Sequence, residues 1–134
     1  MTILLIVGAA IASWLFGAVY YGILGKSWMN ASGFNPEQRE KIEAGPKANP
    51  LPFIVSFVAE LVMALVLALV LRNLGADGVP GALVVAATLW IGLVVTTGAT
   101  NNAYSMRPAA LTVIDSGHWL GVLLVQALVL SALG

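Results

Sequence analysis

Residues 109–133 read AALTVIDSGHWLGVLLVQALVLSAL, an apolar run in which Asp115 and His118 are the ionisable side chains. A hydrocarbon core of about 30 Å is crossed by about 20 apolar residues in a helix, so this stretch reads as a membrane span. A carboxylate at the centre of such a helix costs roughly 2.5–3.5 kcal/mol on insertion scales. Residues that a bilayer penalises this heavily are expected to have a structural or functional use.

Three more stretches upstream qualify by the same measure. Residues 3–24 and 80–103 carry no charge, and residues 52–71 are interrupted only by Glu60. Of 134 residues, 60% are hydrophobic and 9% charged. A water-facing domain needs about 25% charged residues, so lipid is the expected solvent of this chain. The formal net charge is zero, which argues against nucleic acid as a partner. Cysteine is absent, which removes disulfides, thiol nucleophiles and thiolate-ligated metals. The first stretch lacks a basic leader, its Ala10-Ile11-Ala12 precedes the end of the apolar run, and Lys26 follows it. These features predict a retained span. The expected fold is all-α: an integral membrane four-helix bundle forming a single domain.

The connection between the first two spans is the long one. Asn35-Pro36-Glu37-Gln38 places an N-cap residue before a first-turn proline, with Gln38 positioned to close a capping box. Gly45-Pro46 ends the element. The prediction is a short surface helix over 36–44, too polar for lipid, with Trp28 and Phe34 at the headgroups. Lys26, Arg39, Lys41, Lys47 and Arg107 fall on one side of the four spans and Arg72 on the other. That bias predicts a protein of the cytoplasmic membrane with both termini outside and the first and third loops in the cytoplasm.

Counted from the cytoplasmic ends at about 1.5 Å per residue, Glu60 lies about 12 Å deep, Asp115 about 9 Å and His118 about 13 Å. Thr97 and Asn101 lie about 9 Å and 3 Å into the third span. Helical periodicity gathers Ser56, Glu60, Met63 and Ala64 on one face, Trp90, Val94, Thr97 and Asn101 on another, and Asp115, His118, Val122 and Gln126 on a third. Turning these faces inward lets the polar groups satisfy one another, so Glu60, Thr97, Asn101, Asp115 and His118 form the expected intramembrane polar cluster. Thr97, Asn101 and Gln126 fit interhelical glue, at roughly 0.6 kcal/mol per contact. Glu60, Asp115 and His118 together fit a group able to hold or pass a proton. No metal-ligand spacing supports a metal site, and no cofactor motif is legible.

Ala9, Ser13 and Gly17 in the first span, and Thr88, Gly92 and Thr96 in the third, recur at four-residue spacing. Such rows of small residues let helix backbones approach closely, within one chain or between the copies of a homodimer.

Three segments carry a family resemblance. They are Phe16-Gly17-Ala18-Val19-Tyr20-Tyr21-Gly22 with Gly25-Lys26-Ser27-Trp28-Met29, the pair Asn101-Asn102 ahead of Arg107, and Asp115-Ser116-Gly117-His118-Trp119-Leu120. Together they resemble the bacterial membrane protein family known as domain of unknown function 1761. The resemblance implies a small four-helix membrane protein and brings no activity with it. In the family pattern the last segment more often reads Ile-Asn-Ala-Gly-Tyr-Trp, so Asp115 and His118 stand where Asn and Tyr are usual. An ionisable pair is then not a requirement of a function the family shares.

Two functions follow from these features. One is a carrier or channel in which Glu60, Asp115 and His118 handle a proton or cation. The other is an accessory or scaffold subunit of a larger membrane complex, which the short loops and small-residue faces suit. An intramembrane enzyme ranks last, because no nucleophile–base pair is recognisable.

Overall fold

The computed structural model describes residues 2–134. Five helices follow one another: α1 (Ile3–Ser32), α2 (Pro36–Ala44), α3 (Leu51–Leu74), α4 (Gly78–Tyr104) and α5 (Ala109–Ala132). All but α2 are long and apolar enough to cross a membrane. Large apolar side chains on these four helices point away from the bundle, among them Leu15, Val19, Val62, Leu65, Ile91 and Val113. A protein in water would bury such residues, whereas lipid is an adequate solvent for them.

The helices begin and end where backbone chemistry requires. Thr2 caps α1, its hydroxyl accepting from the Leu5 amide. Asn35 and Gln38 cap α2 reciprocally, as the sequence predicts. Gly33 and Gly75 close α1 and α3 in the left-handed conformation, which glycine adopts without a Cβ penalty.

Two departures from expectation bear on the site. The first helix does not stop at residue 24 but continues to Ser32. At about 1.5 Å per residue its thirty residues exceed a bilayer core, so its last turns extend toward the headgroups and bring Trp28 with them. The third span is not one regular helix. Residues Trp90–Val95 form a π-helical segment between α-helical stretches. A π segment inserts extra backbone into the turn and shifts the phase of everything after it.

Helix α5 is the hub, packing along α1 on one side and α4 on another, while α3 packs mainly on α1. Helices α3 and α4 are joined by the tight turn at Gly75–Asp77 and otherwise scarcely touch. The core is built largely of small residues: Ala9 and Ala10 on α1, Ala64 and Ala68 on α3, Ala82 and Ala86 on α4, and Ala127 on α5. Lipid supplies no hydrophobic drive between helices, so close van der Waals approach across alanines must hold the bundle together. Ala9, Ser13 and Gly17 are all buried in this way, within the chain. Thr88, Gly92 and Thr96 are exposed on α4, the hydroxyls of Thr88 and Thr96 donating to the Val84 and Gly92 carbonyls of their own helix.

Candidate functional site

The polar residues of the spans sort into two groupings with different partners, and His118 adjoins the Asp115 grouping through Tyr21 and Trp119 without bonding to its carboxylate. Among the described residues no ion pair within 4.0 Å joins Glu60, Asp115 and His118, and no three acidic or histidine side chains are disposed to hold a metal ion. Helical phase and depth give the face and layer of a side chain but not the neighbour it meets. The difference from a single cluster arises there.

Glu60 is sealed in the core at 1% exposure. Gln126 on α5, fully buried, donates from Nε2 to the Ser13 hydroxyl of α1 at 3.1 Å and to the backbone carbonyl of Glu60 on α3 at 2.9 Å. One amide thus ties three helices together. Ser13 itself donates to the Ala10 carbonyl. Among the described residues Glu60 Oε1 and Gln126 Oε1 find no partner. Trp14 donates to Ser56 Oγ at 3.1 Å, a turn away on the same pair of helices.

His118 lies within an aromatic enclosure formed by Phe16, Tyr20, Tyr21 and Trp119, with ring centroids 4.6–6.4 Å from the imidazole. Glycines make the enclosure possible. A Cβ on Gly17 would meet His118 Nε2 at 2.8 Å, a Cβ on Gly117 would meet the Tyr20 hydroxyl at 2.6 Å, and one on Gly121 would collide with the Phe16 ring. Among the described residues Nδ1 of the imidazole has no partner.

Asp115 is half-buried and open to one side. Tyr21 donates its hydroxyl to Oδ1 at 2.5 Å, and the Trp28 indole faces the carboxylate as well. The stretch around Asp115 is gripped from two helices: Tyr20 donates to the Ile114 carbonyl at 2.6 Å, and Trp90 to the Ser116 carbonyl at 2.7 Å. Trp90 opens the π segment, so the phase shift in α4 begins at its anchor on α5.

The other side of Asp115 borders a cleft of about 530 Å³. It occupies the gap where α3 and α4 part. Ala59 and Met63 line it from α3, and Leu93, Val94, Thr97 and Asn101 from α4. Asp115, Ser116 and Trp119 of α5 form its floor. The expected residues Thr97, Asn101 and Asp115 therefore share this space, while Glu60 makes its contacts elsewhere and His118 lies behind Trp119, outside the lining. Thr97 donates to the Leu93 carbonyl within its own helix. Asn102 donates to Thr112 Oγ1 at 2.9 Å and ties the end of α4 to α5.

Tyr21 is a contact of Asp115 that the sequence does not announce. Its Tyr-Tyr context carries no signal for a carboxylate partner. Only the pairing of α1 with α5 reveals it.

The chain belongs to the family described as protein of unknown function (DUF1761), whose model matches residues 4–131. No curated protein and no solved structure matches it.

Proposed function

We propose that this DUF1761 protein handles a proton or cation within the membrane and that Asp115 is its working acid. One observation carries the reading: Asp115 is the intramembrane carboxylate that borders an open cleft, together with Thr97 and Asn101. An acid kept only to hold helices together gains nothing from such a space, and intramembrane acids facing a cavity mark ion and proton pathways. Glu60, closed off beside Ser13 and Gln126, is the second acid in the same half of the bundle. We assign the α2 end to the cytoplasm on the basis of its excess of Lys and Arg.

The test is flux in liposomes. The purified chain would be reconstituted with a trapped pH-sensitive dye, and a proton or sodium gradient imposed. Dissipation by the wild type that is lost in Asp115→Asn supports the proposal. Equal behaviour of wild type, Asp115→Asn, Glu60→Gln and empty liposomes overturns it.

The accessory-subunit reading has one observation in its favour. The row Thr88, Gly92 and Thr96 lies uncovered on α4, and the two threonine hydroxyls are turned back onto their own backbone. Such a row suits close packing against another transmembrane helix, of a second copy or of a larger complex.

A further inference from the structure

The cleft at Asp115 combines features that together define a ligand class. Its volume of about 530 Å³ falls in the range of small-molecule sites, roughly 300–1,000 Å³. It lies between two helices that scarcely touch, with Thr97 and Asn101 exposed on its rim, so it opens on the flank of the bundle. Ala59, Met63, Leu93 and Val94 make its walls apolar. A single carboxylate lies at the floor, and among the described residues no cation pairs with it within 4.0 Å, Arg107 acting on it from farther off.

We infer that this cleft binds a bilayer-resident amphiphile with an ammonium head, the head on Asp115 and the tail along the Met63–Leu93 walls. The inference rests on the proposed cation-handling role of Asp115 and names what that site takes. A dehydrated divalent metal would need six or more oxygen ligands, as calcium does, or a strict octahedron, as magnesium does. The cleft supplies one carboxylate, its other side-chain oxygens being the neutral ones of Thr97, Asn101, Asn102, Thr112 and Ser116, and among the described residues no three acidic or histidine side chains gather to balance a divalent charge. An ammonium asks for less: a counter-charge, one or two acceptors and an aromatic face. Asp115, Asn101 and Trp119 provide these on the cleft lining. An apolar tail is accommodated because the walls are apolar and continuous with the surrounding lipid.

The probe is dodecylamine bearing a photoreactive diazirine, added to the full chain in phosphatidylcholine nanodiscs, with adducts located by mass spectrometry. Wild type should label on cleft residues, and unlabelled dodecylamine should compete where dodecanol does not. Asp115→Asn retains an oxygen that can accept from Tyr21 but loses the charge, and labelling should fall about tenfold or more, as for loss of a charge-assisted contact. Gly98→Leu is the second variant. It lines the cleft, a Cβ there meets nothing within 4 Å, and the added side chain fills the space while Asp115 stays intact. Labelling should fall to the same extent.

Equal labelling of all three proteins, or equal competition by dodecanol, overturns the inference. Flux that depends on Asp115 without Asp115-dependent labelling overturns the ligand class and leaves the cation-handling role standing. Labelling that depends on Asp115 without any flux supports the site and overturns the carrier.

Discussion

The imidazole of His118 rests on the bare backbone of Gly17, where an added Cβ would come within 2.8 Å of Nε2. The ring cannot retreat easily, because Phe16, Tyr20, Tyr21 and Trp119 surround it. Gly17→Ala should therefore destabilise the bundle by about 1–3 kcal/mol, the usual cost of overpacking a well-filled site. Gly22→Ala is the matched control: its added Cβ meets nothing, and helix propensity favours alanine by up to about 1 kcal/mol. Unfolding of both variants in mixed micelles checks the pair. Equal losses would remove the packing explanation.

Tyr21 and Asp115 should be coupled. The Tyr21 hydroxyl donates to Asp115 Oδ1 at 2.5 Å, and hydrogen bonds between membrane helices average about 0.6 kcal/mol and reach about 1.7. A double-mutant cycle of Tyr21→Phe and Asp115→Ala should return an interaction energy in that range. Strict additivity of the two single effects would show that the contact contributes nothing to stability.

Gln126 bridges three helices, yet its removal should be tolerated. Interhelical hydrogen bonds in membranes average about 0.6 kcal/mol and reach about 1.7, because side chains find other partners when helices separate. The Ser13 hydroxyl also keeps its bond to the Ala10 carbonyl. Gln126→Leu, similar in volume, should lose stability within that span by the same unfolding assay. A loss of several kcal/mol would mean that the Glu60 carboxylate depends on this amide.

The absence of cysteine makes accessibility directly measurable. Asn101→Cys, at the exposed edge of the cleft, should react with a water-soluble maleimide in native membranes. Ala64→Cys and Ala127→Cys, both at 0% exposure, should react only after denaturation. Labelling of all three sites at one rate would contradict the packing described for α3 and α5.

Orientation is checked with the same chemistry. Arg39→Cys on α2 should be protected from a membrane-impermeant reagent in intact cells and modified in inverted vesicles, as the charge bias predicts. The opposite pattern would place α2 on the outer side.

The four spans were legible because apolar length is a direct physical requirement of the bilayer, and α2 was legible because Asn35, Pro36 and Gln38 form a local cap. The continuation of α1 was not. Gly25 and Lys26 end the apolar run, but a helix supported by α5 need not end where the hydrophobicity does. The π segment left no mark in composition: Trp90–Val95 is apolar like the helix that leads into it. Periodicity brought Thr97, Asn101 and Asp115 to one layer, and they do share a cleft. It did not reveal that Glu60 meets Ser13 and Gln126, or that His118 occupies an aromatic enclosure, because both depend on how α1 packs against α5.

The π segment also makes backbone winding, not only residue identity, a determinant of the cleft. Were Trp90–Val95 wound as regular α-helix, everything beyond would turn by nearly one residue's step, about 100° about the helix axis. Thr97 and Asn101 would then be carried around to a neighbouring face, although no cleft residue had been exchanged. Removing one residue between 90 and 95 would instead return the turn to α-helix with Thr97 and Asn101 on the face they now hold, because a π segment absorbs one extra residue within itself.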